Sequence, residues 1–272
     1  MTRNAGLICL KGIVVREILR FVHQRERFLA ALVRPLLWLL VFAAGFRSAL
    51  GIGVMPPYQT SIPYEVYIVP GLLGMIQLFN GMQSALSMVY DREMGSMKIL
   101  LVAPMPRWYL LTCKLLAGTA VSIVQVYTFL LVAWLFGVRF PALGYVAILP
   151  TLIVSGLMLG AIGLFLSSTI RQLENFAVIM NFVVFPMLFL SSALYPISSI
   201  AKSNPLLAAI CRLNPFTDAV ELIRFALYHQ LNLQALVYTL AALTIFLALA
   251  IVGYSPTKGL MRRKAGVAGG EP

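Results

Sequence analysis

Residues 90–108 read Tyr-Asp-Arg-Glu-Met-Gly-Ser-Met-Lys-Ile-Leu-Leu-Val-Ala-Pro-Met-Pro-Arg-Trp. A long run without a charged residue lies on either side, at 66–90 before this stretch and at 115–138 after it. Each run is long enough to cross the hydrocarbon core of a bilayer, about 30 Å thick, as an α-helix. The quoted stretch is therefore predicted to be a short loop between two membrane-spanning helices.

Within this loop, charged residues come first and apolar residues follow. Asp91, Arg92 and Glu93 open the loop, and Pro104 and Pro106 close it. The apolar set between them is Met97, Ile99, Leu100, Leu101 and Val102. This pattern favours a short amphipathic helix lying across a membrane face, where a partner protein or lipid could cover its apolar groups. A solvated loop without a partner is the alternative.

The composition of the whole chain indicates a membrane protein. Of its 272 residues, 60% are hydrophobic and 11% are charged, whereas soluble domains carry roughly 25% charged residues. The net charge of +12 could attract nucleic acid, but most basic residues fall on one predicted side of the membrane, which is the positive-inside pattern. We therefore expect a multi-pass protein with both termini in the cytoplasm, the lipid bilayer as its surroundings and no nucleic acid partner.

Six apolar stretches are predicted to span the membrane in an all-α protein. They are residues 28–50, 66–90, 108–138, 143–170, 175–195 and 233–254. We expect a single domain over 1–272, with a cytoplasmic and interfacial segment at 1–28, a six-span region at 29–254 and a cytoplasmic tail at 255–272. The helical pattern at 14–24, basic on one face and apolar on the other, predicts an amphipathic interface helix before the first span, with a plain cytoplasmic tail as the alternative.

Several polar and small residues interrupt the predicted spans. Gln77, Asn80, Gln83 and Ser84 are spaced by three or four and are predicted to bond a neighbouring helix rather than line a path. Gly156, Gly160 and Gly163 favour close approach of two helices. Arg34 lies near the inner end of the first span, from which its side chain is expected to reach the head groups.

The connection at 197–232 is long but not very polar. Asn204-Pro205 and Asn214-Pro215 each resemble a helix N-cap followed by proline at the first helical position. We therefore predict two short re-entrant helices that dip into the outer leaflet before the sixth span. Glu221 and Arg224 are three residues apart, so a local ion pair is available on the second of these helices. A structural role is expected for Asn214, Pro215, Glu221 and Arg224.

Three segments of the chain resemble the ABC-2 type transporter permeases, the membrane subunits of ATP-driven exporters. Residues 91–104, Asp-Arg-Glu-x-Gly-Ser-x-x-x-Leu-Leu-x-x-Pro, are similar to the loop that forms the coupling helix of that family. Residues 188–196 and 213–224 are similar to the end of its fifth span and to the segment before its last span. The resemblance implies that an ATPase subunit contacts the loop in the cytoplasm, through Asp91, Arg92, Glu93, Gly95, Met97, Leu100 and Pro104.

The resemblance also implies a function and an assembly. The chain would be an exporter permease in the cell (inner) membrane that moves a hydrophobic or amphipathic substrate outward, as a homodimer with two ABC ATP-binding subunits. ATP and Mg would be bound by the partner subunit, because this sequence contains no Gly-x-x-x-x-Gly-Lys-Ser/Thr motif.

No cofactor, metal or catalytic site is expected in the chain itself. His23 and His229 lie on opposite predicted sides, and no pair of carboxylates falls within a span. The chain is therefore not expected to be an enzyme. An ion-coupled transporter or channel, and a membrane scaffold or assembly factor, remain the alternatives to an exporter permease.

Overall fold

The computed structural model describes residues 11–16, 19, 25–46, 56–94, 106–170 and 172–254. Residues 11–16 are helical, and the rest of the predicted interface helix falls largely outside the described residues. The helices that follow are α1 Arg25–Phe46, α2 Tyr64–Glu93, α3 Arg107–Leu135, α4 Gly144–Thr169, α5 Leu173–Phe189, α6 Ile197–Ser203, α7 Pro205–Leu213, α8 Pro215–Leu227 and α9 Leu233–Gly253.

Among the described residues, three helices are long and apolar enough to cross a membrane, judged by length and composition. They are Trp108–Leu135 within α3, Gly144–Thr169 (α4) and Leu233–Gly253 (α9). Shorter apolar helices occur at Leu32–Phe42 within α1 and at Leu173–Phe189 (α5). The chain is thus a helical, multi-pass membrane protein. The other three predicted spans, 28–50, 66–90 and 175–195, overlap α1, α2 and α5, which are not among these three helices.

The second span extends further than predicted at its inner end. Helix α2 continues through Asp91 and Arg92 to Glu93, so these three charged residues form its last turn and do not begin a loop. The helix continues because nothing in Tyr-Asp-Arg-Glu stops it. The first breaker after it is Gly95, which lies outside the described residues.

The fifth span is shorter than predicted, because α5 ends at Phe189 and not at Tyr195. The Ser191 hydroxyl donates a hydrogen bond to the Leu188 carbonyl at 2.6 Å and accepts one from the Ala193 N–H at 3.2 Å. A side chain that bonds the local backbone in this way competes with helical hydrogen bonds. The chain therefore turns at 190–196 before the outer helices begin.

Three helices, not two, fill the connection before the last span. The additional helix is α6, which begins after Pro196. Helices α7 and α8 begin as the sequence predicts. The Asn204 side chain accepts a hydrogen bond from the Leu207 N–H at 3.1 Å, and the Asn214 side chain accepts one from the Phe216 N–H at 3.0 Å. In both helices proline occupies the first turn. The N–H groups of the first turn have no acceptor within the helix, so the N–H that proline lacks costs no helical hydrogen bond.

Helices α2 and α4 form the centre of the bundle. α2 packs against α1, α3, α4, α5 and α8, and α4 also packs against α3, α8 and α9. The predicted close approach through small residues is confirmed, because a Cβ atom added to Gly163 would lie 2.8 Å from the Gly81 carbonyl oxygen. Helix α5 lies at the edge and leaves Val178 and Phe182 exposed by 70% and 77%.

Candidate functional site

The last turn of α2 contacts α3 and the nearby ends of α4, α5 and α9, on the side of the molecule that is predicted to face the cytoplasm. Asp91 pairs with Lys114 of α3, with 3.7 Å between Oδ2 and Nζ. The Lys114 side chain is only 4% exposed, so this cation is buried against the bundle and Asp91 is the acid that faces it. A buried charge is costly unless it is paired, and this pair therefore holds α2 to α3.

Arg92 and Glu93 reach three further elements. The Arg92 guanidinium donates a hydrogen bond to the Ile170 carbonyl at 3.4 Å, just beyond the end of α4. It also lies 4.9 Å from the ring centroid of Tyr254, which follows α9. Glu93 accepts a hydrogen bond from the backbone N–H of Leu173 at 3.3 Å, at the N-terminus of α5, where a carboxylate is favourable.

We call Asp91, Arg92, Glu93, Lys114 and Tyr254 the inner-end cluster, after the side of the membrane on which the sequence predicts it to lie. Its three charged residues on α2 follow one another directly, yet they contact four different parts of the bundle. The cluster lies immediately before the apolar stretch that is predicted to bind an ATPase. Of that predicted contact set, Gly95, Met97, Leu100 and Pro104 lie outside the described residues.

A network of polar side chains links α2 to its neighbours within the bundle. The Gln77 amide donates to the Leu152 carbonyl and accepts from the Ser155 hydroxyl, both at 2.7 Å. Asn80 donates a hydrogen bond to the side-chain oxygen of Gln125 on α3. The prediction that these amides bond neighbouring helices is therefore confirmed for Gln77 and Asn80. Such bonds satisfy polar groups that would otherwise face hydrocarbon.

A second buried charge lies on α8, at the opposite end of the bundle from the inner-end cluster. The Arg224 side chain is fully buried and forms the predicted ion pair with Glu221. Its other terminal nitrogen donates to the Ser192 carbonyl at 2.7 Å, and its guanidinium carbon lies 4.2 Å from the ring centroid of Tyr67 on α2. The pair thus also binds the turn at 190–196 and the second helix.

Asn214 has a further role besides capping α8. Its amide nitrogen donates to the carbonyl oxygens of Met187 at 2.7 Å and Leu190 at 2.6 Å. These carbonyls end α5, where no following helical N–H is available to them. Asn214 therefore joins the end of α5 to the start of α8.

Asp218 is the one carboxyl of α8 whose side chain makes no hydrogen bond among the described residues. Partial burial, and then the neighbouring charge of Glu221, raises its pKa to about 6. Both effects disfavour the carboxylate form.

Sequence reasoning did not find Lys114, Ser192 or Tyr67. For Lys114 a signal existed, because a lysine eight residues into a long apolar helix needs an acid, and Asp91 ends the preceding helix. No such signal exists for Ser192, because it contributes a backbone carbonyl that any residue could supply. Among the described residues, no group of three or more His, Cys, Asp or Glu side chains could hold a metal ion.

These features define a multi-pass helical membrane protein whose buried polar groups hold its helices together, with a charged cluster at one end of the bundle. The chain belongs to the ABC-2 type transporter family, because the sequence model of that family matches residues 9–228. It is therefore a transport permease, and permeases of this family normally work with an ATP-binding subunit.

Individual relatives agree with this assignment. The chain is 30% identical over 230 residues to the protein of Cyanophora paradoxa named transport permease ycf38. The aligned residues cover 80% of this chain and 73% of that protein. It is 28% identical over 231 residues to the Pyropia yezoensis protein of the same name, and the aligned residues cover 82% of this chain and 75% of that protein. It is 26% identical over 166 residues to the Escherichia coli protein named multidrug ABC transporter permease YbhR. Here the aligned residues cover 60% of this chain and 45% of that protein.

Proposed function

We propose that this chain is the membrane subunit of an ABC exporter, which moves a hydrophobic or amphipathic substrate outward with energy from ATP hydrolysed on a separate subunit. The observation that carries the proposal is the inner-end cluster. A force applied to the loop that follows Glu93 would act directly on α2, and through Asp91, Arg92 and Glu93 on α3, α4, α5 and α9.

In the proposed assembly, two copies of the chain pair with two ATP-binding subunits, which hold the ATP and Mg. The pair of permeases would meet along the first and fifth spans. Both helices lie at the edge of the bundle and leave large apolar side chains exposed, such as Leu37 and Val41 on α1 and Phe182 on α5. In this arrangement the whole chain is one membrane domain with six spans, with both termini in the cytoplasm of a cell whose inner membrane it occupies.

The outer helices α6, α7 and α8 are proposed to enter the outer leaflet without crossing it. Helix α7 has strongly exposed apolar residues, including Leu206 at 71% and Leu213 at 83%. Lipid would cover such residues. The anchoring of α8 by Asn214 and Arg224 supports a structural role for both residues.

Site-directed crosslinking tests the coupling contact. We expect a cysteine at Met97 or Leu100, in a chain whose three native cysteines have been replaced, to crosslink to the ATP-binding subunit through a short thiol-to-amine reagent. A cysteine at Leu206 is the matched control, since that residue is also apolar, has an exposed side chain and lies on the proposed outer side. Labelling of the Met97 or Leu100 cysteine from the outside alone would contradict the topology.

A further inference from the structure

Arg34 of α1 borders an open cavity between α1 and α2, and the residue is exposed in the single chain. The enclosed part of this cavity has a volume of about 30 Å³, and the figure rises to about 360 Å³ only when the open space beside it is counted. Its lining includes Arg34, Met75, Ile76, Phe79, Asn80 and Gln83. The guanidinium carbon of Arg34 lies 3.9 Å from the ring centroid of Phe79.

The contact with Phe79 shows how far along the bundle axis the Arg34 guanidinium lies. Phe79 is close to the centre of the uncharged run 66–90 and also of α2, Tyr64–Glu93. At 1.5 Å per residue, Phe79 is about 21 Å along the helix axis from the inner end at Glu93. The Arg34 guanidinium therefore lies near the middle of the bundle, and not at the inner head groups as its position in the sequence led us to expect.

The described part of the chain offers this guanidinium no anion. The ion pairs recorded there join Asp91 to Lys114 and Glu221 to Arg224. Among the described residues, Arg34 makes its cation–π contact with Phe79 and no hydrogen bond. Gln83, which also lines the cavity, likewise makes no hydrogen bond among the described residues.

A guanidinium in the middle of a bilayer without a partner is strongly disfavoured, and intramembrane charges usually mark a functional path. The head groups of resident lipids stay at the two surfaces, too far from this depth to serve as its partner. A molecule that travels through the membrane can bring an anion to this depth. The apolar side chains of Met75, Ile76 and Phe79 beside it would suit a hydrocarbon tail.

We propose that this cavity is a substrate-binding site for an amphipathic molecule with an anionic head group, such as a phosphate, whose head group binds Arg34 and Gln83. The site rests on the proposed function in that it names the class of substrate for the exporter. A planar guanidinium with several donors suits a phosphate or carboxylate group.

The test is equilibrium binding to the full chain, purified and placed in phosphatidylcholine nanodiscs. The probes are radiolabelled dodecyl phosphate, uncharged dodecyl maltoside with the same tail, and inorganic phosphate, each corrected for partition into empty nanodiscs. We expect dodecyl phosphate to bind more tightly than dodecyl maltoside. Arg34→Gln should raise the Kd for dodecyl phosphate roughly tenfold or more, as is usual for loss of a charge-assisted hydrogen bond. The same variant should leave the Kd for dodecyl maltoside unchanged.

Two variants control for structure. Arg34→Lys keeps the positive charge and should bind dodecyl phosphate within a few-fold of the unmodified chain. Arg139→Gln removes another arginine that faces an aromatic ring, Trp134 at 5.9 Å, but at the outer turn, and should bind like the unmodified chain.

Equal affinity of the unmodified chain and Arg34→Gln for dodecyl phosphate would overturn the proposal, as would equal affinity of the unmodified chain for the two dodecyl probes. Inorganic phosphate that binds as tightly as dodecyl phosphate, with the same dependence on Arg34, would show a free-phosphate site and overturn the amphipathic assignment. Because binding needs no ATPase, failure of the exporter role appears separately, as absence of ATP-dependent flux in the reconstituted complex.

Discussion

Arg224 shows how one side chain can join parts of the molecule that are distant in sequence. Its guanidinium contacts Glu221 on its own helix, the Ser192 carbonyl in the turn after α5, and the ring of Tyr67 on α2. The remaining nitrogen, Nε, is buried and has no hydrogen-bond partner among the described residues. Its energetic role is therefore set by all three contacts together and not by the ion pair alone.

Arg224→Ala should destabilise the protein by about 3 kcal/mol, at the low end for breaking a buried ion pair because Glu221 is partly exposed. Thermal unfolding in mild detergent would measure this change. Spacing alone suggests that exchanging the charges at 221 and 224 would restore stability. The structure predicts that it will not, because a carboxylate at 224 would face the Ser192 carbonyl oxygen. Recovery of the full unfolding temperature in the exchanged variant would contradict this account.

Asp218 is expected to make stability depend on pH. Its pKa in the folded protein is about 6, above the ordinary value of 3.8, so the folded state holds the proton more tightly than the unfolded state. This contribution to stability is fully present below pH 4 and is lost as the pH rises through 6. Asp218→Asn should therefore unfold at a higher temperature than the unmodified chain at pH 7. The difference should shrink at pH 4.5, and a difference that is the same at both pH values would contradict the assignment.

The contact between α2 and α4 is the element on which the bundle depends. A Cβ atom added to Gly81 would lie 2.9 Å from the Gly160 Cα atom, closer than real Cβ atoms approach. The Gln77 and Ser155 side chains bond each other across the same pair of helices. Close backbone approach and a satisfied hydrogen bond therefore occur together, as is usual for packed membrane helices.

Alanine substitutions at three glycines should distinguish the steric cost at this contact from the general effect of replacing a helical glycine by alanine. Gly81→Ala should destabilise most, by about 1–3 kcal/mol, because an added methyl group would meet backbone atoms that cannot move independently. Gly160→Ala should cost less, since its methyl group would meet the flexible end of Leu115 at 2.5 Å. Gly12→Ala should cause no loss, because nothing lies within 4 Å of the added atom. The unfolding temperatures of the three variants in one detergent would test this order.

For the whole molecule, the proposed mechanism is mechanical. Closure of an ATP-binding dimer would move the loop after α2, and the inner-end cluster would pass this movement to the helices that contact it. One chain offers one such loop, and an ABC exporter hydrolyses ATP at two sites between its ATP-binding subunits. The assembly should therefore contain two copies of the permease and two of the ATP-binding subunit.

Mass measurement of the complex purified in mild detergent tests this stoichiometry. Replacing Gly95 with tryptophan should leave the two-plus-two mass unchanged while ATP hydrolysis no longer drives transport, because Gly95 is in the predicted coupling loop and outside the proposed pairing surface. Leu206→Trp, which places the same bulky side chain at an exposed position of α7, is the control and should change coupling little. A stable single chain that transports without an ATP-binding subunit would defeat the proposed function.

The sequence alone was sufficient wherever the interacting groups are close along the chain. It predicted the positions of the long helices, the asparagine caps of α7 and α8 and the pair of Glu221 with Arg224, because helix geometry brings residues three or four apart onto one face. It also predicted that the amides of α2 would bond neighbouring helices, because bilayer hydrocarbon offers them no other partner. The motif at 91–104 likewise indicated the family through local residues alone.

Only the tertiary structure decided which distant groups meet. It paired Asp91 with Lys114, brought Arg92 to Ile170 and Tyr254, set Gly81 against Gly160 and placed the Arg34 guanidinium beside Phe79. Each of these contacts depends on the axial offset and rotation of two helices far apart in the chain. Those quantities result from the packing of the whole bundle, so hydrophobic periodicity and residue spacing cannot specify them.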